Sequence, residues 1–239
     1  MLSSIKENNY QFSSYQDARN KESSDCKRVI LRHDIDTDPR KALQLADLEN
    51  SKQVRSTYFV LVTSNLYNAN SMENRRIFRN IVADGHDIGL HYDELAYPDD
   101  VGDENAVKNN ISVETDILSE IIGHRVSSFS YHRPSKKILS AQIEIEGMVN
   151  SYSDYFFHEF KYLSDSRRRW REPIDEIIRS GQFKNLHILT HAFWYNDKEK
   201  DIHDTLSDFI VEAKKDRYNT LADNITDFQS IITLDEVNC

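Results

Sequence analysis

Arg32-His33-Asp34-Ile35-Asp36 follows directly on Val29-Ile30-Leu31. A short apolar run that ends in charge reads as a buried strand delivering ligands or acid/base groups at its C-terminal tip. Two carboxylates at such a tip are costly to bury unpaired, which points to a metal or a proton-transfer role. The other reading of the same residues is an Arg–Asp ion pair at a strand end.

Working outward, further short apolar runs predict strands over 28–33, 54–62, 87–91, 126–131, 152–157, 161–164 and 186–191. Amphipathic stretches lie between them. Residues 39–53 carry Ala42, Leu45 and Ala46 at helical spacing behind Pro39. Ser71 is placed to cap a helix over 72–84, with Gly85 after its end. Val107, Ile111, Leu118 and Ile122 make one stripe of a helix over 103–122 that stops at Gly123. Residues 201–227 read as a long acidic helix with a break near Tyr218-Asn219. Strand–helix alternation predicts an α/β fold with a parallel sheet, and about seven strands in this length favour a closed or nearly closed (β/α) barrel. An open doubly wound sheet is the alternative, but the chain has no GxGxxG, no Walker sequence and six glycines in all.

The 239 residues suit one domain, with a polar N-terminal extension over 1–26, a motif-bearing core over 29–194 and a helical region over 201–239. A net charge of −10 and the lack of a basic stripe argue against nucleic acid as a partner. Arg167-Arg168-Arg169, extended by Arg171, is the one basic cluster and reads as a solvated face or a local anion contact. Cys26 and Cys239 show no CxxC spacing, so neither a zinc knuckle nor a disulfide framework is expected, and a reducing, cytoplasmic setting is. The first residues carry no apolar leader segment, and no run approaches the ~18 apolar residues of a membrane span, so no membrane insertion is expected.

The polar residues fall at strand tips. Asp34 and Asp36 follow the first strand, His91, Tyr92 and Asp93 the third, and His132 and Arg133 the fourth. Asp165 follows the sixth, and His191 ends the seventh. In a parallel barrel these tips share one rim, where active sites form. Histidine and carboxylate ligands suit a divalent metal: zinc first, then cobalt, manganese, nickel or iron. A metal beside a carboxylate base and a histidine acid is the equipment for amide or ester hydrolysis.

The same segments resemble a family. Arg32-His33-Asp34-Ile35-Asp36, Gly85-His86-Asp87-Ile88-Gly89-Leu90-His91-Tyr92-Asp93, His132-Arg133-Pro134-Ser135 and Leu189-Thr190-His191 stand in the order of the NodB-like polysaccharide deacetylases. Tyr162-Leu163-Ser164-Asp165-Ser166 with Trp170 fits between the last two. More closely, the chain resembles a divergent branch of predicted deacetylases that carries HDxD in place of the usual Asp-Asp pair and is encoded among surface-polysaccharide genes. The resemblance spans roughly residues 29–194. It implies a distorted (β/α)7 barrel, a metal cofactor, and a hydrolase removing an N- or O-acyl group from an acylated sugar or sugar-linked precursor in bacterial O-antigen or capsule biosynthesis. It implies Asp34 as the base, His191 as the catalytic histidine and Arg133 as the arginine that orients the base. Asp165 and Trp170 match a groove motif that holds that histidine and shapes the substrate site, and His91 matches the first metal histidine.

Two positions depart from the pattern. The usual metal aspartate directly follows the base, where this chain has Ile35, and the second metal histidine would fall at Leu95. Asp36 is the substitute for the first, and either His132 or Asp93 for the second. Loss of the metal site on the same fold, leaving a catalytically inactive carbohydrate- or partner-binding protein, is the alternative function, and another acid/base enzyme on this barrel is a third. His33 points away from Asp34 in a regular strand and reads as packed, His86 as structural, and His187 as a core histidine. Ala192-Phe193-Trp194-Tyr195 reads equally as core or as an aromatic shelf on which Trp194 stacks against a sugar ring.

Overall fold

The computed structural model describes residues 1–20 and 26–237, so Cys239 of the cysteine reading lies outside the described residues. Its eight strands are β1 Gln11–Phe12, β2 Arg28–Ile35, β3 Thr57–Val60, β4 Asp87–Tyr92, β5 Ser128–Tyr131, β6 Val149–Asn150, β7 Lys161–Ser164 and β8 Asn185–Thr190. They form one sheet in the order β6-β5-β4-β3-β2-β8-β7, with β1 beside the start of β2. Every pairing is parallel. This is the expected distorted (β/α)7 barrel. Among the described residues no ladder joins β6 to β7. Aromatic rings line that seam: Tyr152 lies 5.6 Å from Phe157, and Phe157 lies 5.3 Å from Tyr162.

Alternation along the strands separates two faces. On β2, Val29, Leu31 and Ile35 pack outward against the helix layer. Ile30 packs inward with Tyr15, Phe59 and Phe156. Arg32 and Asp34 share that inner face, and the register continues it through Phe59 and Gly89. Gly89 is needed there: a Cβ at this position would meet Phe59 Cε1 at 2.4 Å and Ser128 Oγ at 2.8 Å.

The helices form where capping and spacing predict. Asp38 accepts from Arg40 N at the head of the Pro39–Ser51 helix, and Ser71 accepts from Asn74 N at the head of Met72–Ala83. Asp103 caps Glu104–Ile122, which ends at Gly123 in the left-handed region. The expected strand over 152–157 is instead a helix, Asp154–His158, preceded by the two-residue β6. The segment before residue 20 is built into the core, with Ile5, Tyr15 and Ala18 buried.

The chain divides into two compact units, Met1–Tyr195 and the remainder from Asn196. The second is led by the helix Ile202–Asn224, capped by Asp201 and continuous through Tyr218-Asn219. The Tyr218 hydroxyl donates to Ile232 O at 3.0 Å, and its ring meets Phe228 edge-on at 5.2 Å. Among the described residues no helix is long and apolar enough to cross a membrane.

Candidate metal and acid/base site

All the site side chains sit at C-terminal strand ends of the first unit. β2 delivers Arg32, Asp34 and Asp36 to the inner face because alternate residues share it, while Ile35 between them is buried among outer-face residues. The β4 tip delivers His91, and the loop after β5 delivers His132, whose backbone N–H donates to Tyr92 O at 2.7 Å.

Asp36, His91 and His132 offer ligand atoms that all lie within 4.8 Å of one another. His91 Nε2 is 3.2 Å and His132 Nδ1 3.4 Å from Asp36 Oδ1, and the two nitrogens are 3.2 Å apart. Asp36 Oδ1 is buried and has no hydrogen-bond donor aimed at it. An orphaned carboxylate oxygen facing two imidazole nitrogens fits a divalent cation, and the donor set suits zinc and its neighbours. The other nitrogen of His91, Nδ1, is hydrogen-bonded to Ser130 Oγ at 2.7 Å, which orients the ring. Burial works against the ionised Asp36 carboxyl, but the two histidines and His191 hold it well below the usual carboxylate range. Of the two alternatives for the third ligand, His132 is brought to this point. Asp93 is turned away: it caps the next turn by accepting from Leu95 N at 3.0 Å and pairs with Arg133 Nη2 at 3.2 Å.

Asp34 lies beside the cluster, its Oδ2 3.5 Å from His91 Nε2. Fully buried Arg32 grips both of its oxygens, Nε to Oδ1 at 2.7 Å and Nη2 to Oδ2 at 2.8 Å. Burial disfavours the charged Asp34, yet Arg32 and then His91 outweigh it and lower its pKa. The structure does not bring Arg133 to Asp34. Arg133 has φ 47°, a left-handed turn that carries its largely exposed side chain to Asp93 instead. Arg32 is therefore the partner of Asp34: the Arg–Asp ion pair expected as the other reading of this strand end is present, and strand alternation places both residues on one face.

His191 completes the rim. Its Nδ1 is 2.7 Å from Asp165 Oδ1, its backbone N–H donates to Asp165 Oδ2 at 3.2 Å, and its Nε2 is 3.8 Å from Asp36 Oδ2. The Tyr195 hydroxyl donates to Asp165 Oδ2 at 3.0 Å, a second contact that the sequence reading did not include. Burial pushes the His191 pKa down, but Asp165 and the nearby Asp34 and Asp36 carboxylates raise it overall.

The two tryptophans part company. Trp194 sits half-buried in the turn after His191, 4.8 Å from the Phe193 ring. Trp170 does not reach the site. It packs against the outer-face cluster of Val29, Leu31, Leu163 and Ile174, on the side of the sheet away from Asp34, because the chain there is already returning to the 174–180 helix. Three other histidines, His33, His86 and His187, serve the scaffold. His33 bridges Thr190 Oγ1 at 2.6 Å and Glu49 Oε1 at 3.0 Å on the outer face, and His86 meets Ser56 Oγ at 2.9 Å. His187 lies inside the barrel 2.6 Å from the Tyr15 hydroxyl, where burial and Arg32 push its pKa down to about 3.

Fold and site together define a class: a parallel (β/α) barrel with a carboxylate–imidazole cluster on its C-terminal rim. Similar solved structures include CE4 family proteins. A CE4 family pseudoenzyme from Bacillus anthracis is 13% identical with a TM-score of 0.47, covering 81% of this chain and 63% of its own. A mutant of it with restored enzymatic activity gives 15% and 0.46, covering 81% and 65%. The chain thus spans less than two thirds of the length of these two. A CE4 esterase from Streptococcus mutans is 17% identical with a TM-score of 0.49, covering 81% of this chain and 82% of its own. No family model matches the chain, and no curated protein does.

Proposed function

We propose that this chain is a metal-dependent deacylase that removes an acetyl-like N- or O-acyl group from a sugar or sugar-linked precursor in surface-polysaccharide biosynthesis. The observation that carries the reading is the convergence of Asp36, His91 and His132 on one point, flanked by the Asp34–Arg32 and His191–Asp165 pairs. The order of the strand-tip motifs along the sequence supports it.

Asp36, His91 and His132 are the residues that would hold a divalent cation. Such an ion supplies polarisation of an acyl carbonyl and acidification of a water. Asp34 takes the proton of the attacking water, and Arg32 keeps that carboxylate aimed and ionised. His191 gives a proton to the departing amine or alcohol from Nε2, since Asp165 holds Nδ1 and so fixes the tautomer. Tyr195 and the His191 backbone N–H steady Asp165 in turn. Trp194 offers a ring face at the same rim for a sugar.

The test is acyl release from a panel of N-acetyl, N-formyl and O-acetyl sugars by zinc- or cobalt-loaded protein. Release is expected, with a loss of about 100-fold or more in His191→Ala at unchanged metal content. Asp36→Ala and His91→Ala are expected to lose metal and turnover together. Metal bound in full with no release from any sugar would defeat the hydrolytic reading. The second reading, a binding protein without hydrolysis, draws on one feature: Arg32 occupies both oxygens of Asp34, the carboxylate assigned as base. Sugar binding without turnover and without stoichiometric metal would favour it.

A further inference from the structure

The basic cluster 167–171 is not used by the hydrolytic steps above, and its place in the fold gives it a role. β7 ends at Ser164, Asp165 turns back to hold His191, and Arg167, Arg168 and Arg169 follow at once on the same rim. Arg169 N donates to Asp165 O at 3.1 Å, so the loop is pinned to the residue that positions the catalytic histidine. Arg167 and Arg168 both lie in the left-handed region, with φ 62° and 56°. Arg133, which follows His132 on the same rim, has φ 47°. Bulky residues take that conformation at a cost, and here three arginines do so directly beside site residues. Arg167, Arg169 and Arg171 are exposed, and among the described residues no ion pair involves them. In a chain with 40 acidic and 30 basic residues, such a group directly after Asp165 is a local reversal of sign.

We propose that this arginine loop binds the anionic handle of the substrate, so that the acylated sugar enters as a phosphate or diphosphate ester. This rests on the deacylase reading for the identity of the sugar, but the anion site is measurable without turnover. The chemistry favours phosphate over a lone carboxylate. Planar guanidinium forks match phosphoryl oxygens, and several of them on one short loop suit a multiply charged group, whereas a carboxylate is satisfied by a single fork. The sugar is then held at two ends, with its acyl group at Asp36, His91 and His132 and its ester oxygens at the loop. A nucleoside diphosphate sugar and a polyprenyl phosphate sugar share this chemistry.

The experiment is calorimetry on the full, zinc-loaded chain with four probes: N-acetylglucosamine, its 1-phosphate, a uridine diphosphate ester of it, and a short-chain polyprenyl diphosphate ester in detergent. The phosphate esters are expected to bind about tenfold or more tighter than the neutral sugar, with a preference that falls as salt is raised. The double variant Arg167→Gln/Arg169→Gln is expected to erase that preference and leave the neutral sugar's affinity where it was. Both side chains are exposed, and metal content and thermal midpoint check the fold of the variant. The tighter of the two diesters tells a soluble from a lipid-linked source. A preference that survives in the variant would put the anion on the metal instead, and it overturns the proposal, as does equal or absent binding of all probes. Phosphate-dependent binding with no acyl release from any ester keeps the anion site and removes the deacylase reading.

Discussion

Asp34 gives both of its oxygens to one guanidinium that has no exposed surface, and this pair sits beneath the Asp36–His91–His132 cluster. Arg32 also lies over the Phe59 and Tyr152 rings, at 5.1 and 4.8 Å, so packing as well as charge fixes it. Removing one partner of such a buried pair leaves an uncompensated charge. Arg32→Gln is therefore expected to cost about 3–5 kcal/mol in urea unfolding. Arg133→Gln, with an exposed side chain on Asp93, is expected to cost no more than about 0.5 kcal/mol. Equal costs for the two variants would contradict this division of labour. Strand alternation made the shared face of Arg32, Asp34 and Asp36 readable from sequence. The arginine that meets Asp34 was assigned by resemblance to Arg133, because a left-handed turn at a non-glycine residue leaves no mark in sequence spacing. The choice of His132 over Asp93 was unreadable for a similar reason: both follow strand tips, and only the turn after β4 commits Asp93 to a cap.

The helix Glu104–Ile122 shows how element and chemistry separate. Its Asp103 cap, its Gly123 end and its apolar stripe were readable, and the same spacing places Glu114 on that stripe between Ile111 and Leu118. Glu114 is buried there. Oε1 accepts from the Tyr97 hydroxyl at 2.7 Å, while Oε2 has no donor. Burial raises its pKa to about 7 from an ordinary 4.5. The folded state thus holds the proton more tightly than the unfolded chain. The neutral acid imposes no penalty below pH 4.5, and stability is lost as pH rises from there to about 7. Above that window the cost is about 3 kcal/mol. Glu114→Gln is expected to remove this slope, so that its stability advantage over the parent chain grows between those pH values and then levels off. Denaturation midpoints across pH check it, and a constant difference would contradict it. Residues 152–157 went the other way. Their aromatic density reads as strand, yet Ser153 starts a helix whose Phe156 and Phe157 seal the gap beside β7. Two-residue strands such as β1 and β6 carry too few side chains for any period to register.

The barrel as a whole is closed by side chains as much as by ladders. At the β6–β7 seam rings replace hydrogen bonds, and on the inner face the Phe59 ring lies over Gly89, its register partner on the adjacent strand β4. That contact couples packing to the site. Gly89 and His91 are two residues apart on the inner face of β4, and Ser128, which bounds the Gly89 gap, is two residues from Ser130, the partner of His91 Nδ1. A methyl group at position 89 cannot be accommodated without moving the fully buried Phe59 ring or separating β4 from its neighbours, since its Cβ would lie 2.4 Å from Phe59 Cε1 and 2.8 Å from Ser128 Oγ. Gly89→Ala is therefore expected to cost about 1–3 kcal/mol by overpacking. Its effect on the site is expected to be larger than its effect on the fold. A displaced β4 tip moves His91 Nε2 away from Asp36 Oδ1, and the proposed ligand set, drawn from three separate strand ends, tolerates such a shift poorly. Zinc titration of the folded variant should show weakened binding at temperatures well below its unfolding midpoint. Parent-like zinc affinity in a destabilised variant would separate interior packing from the site and refute the coupling.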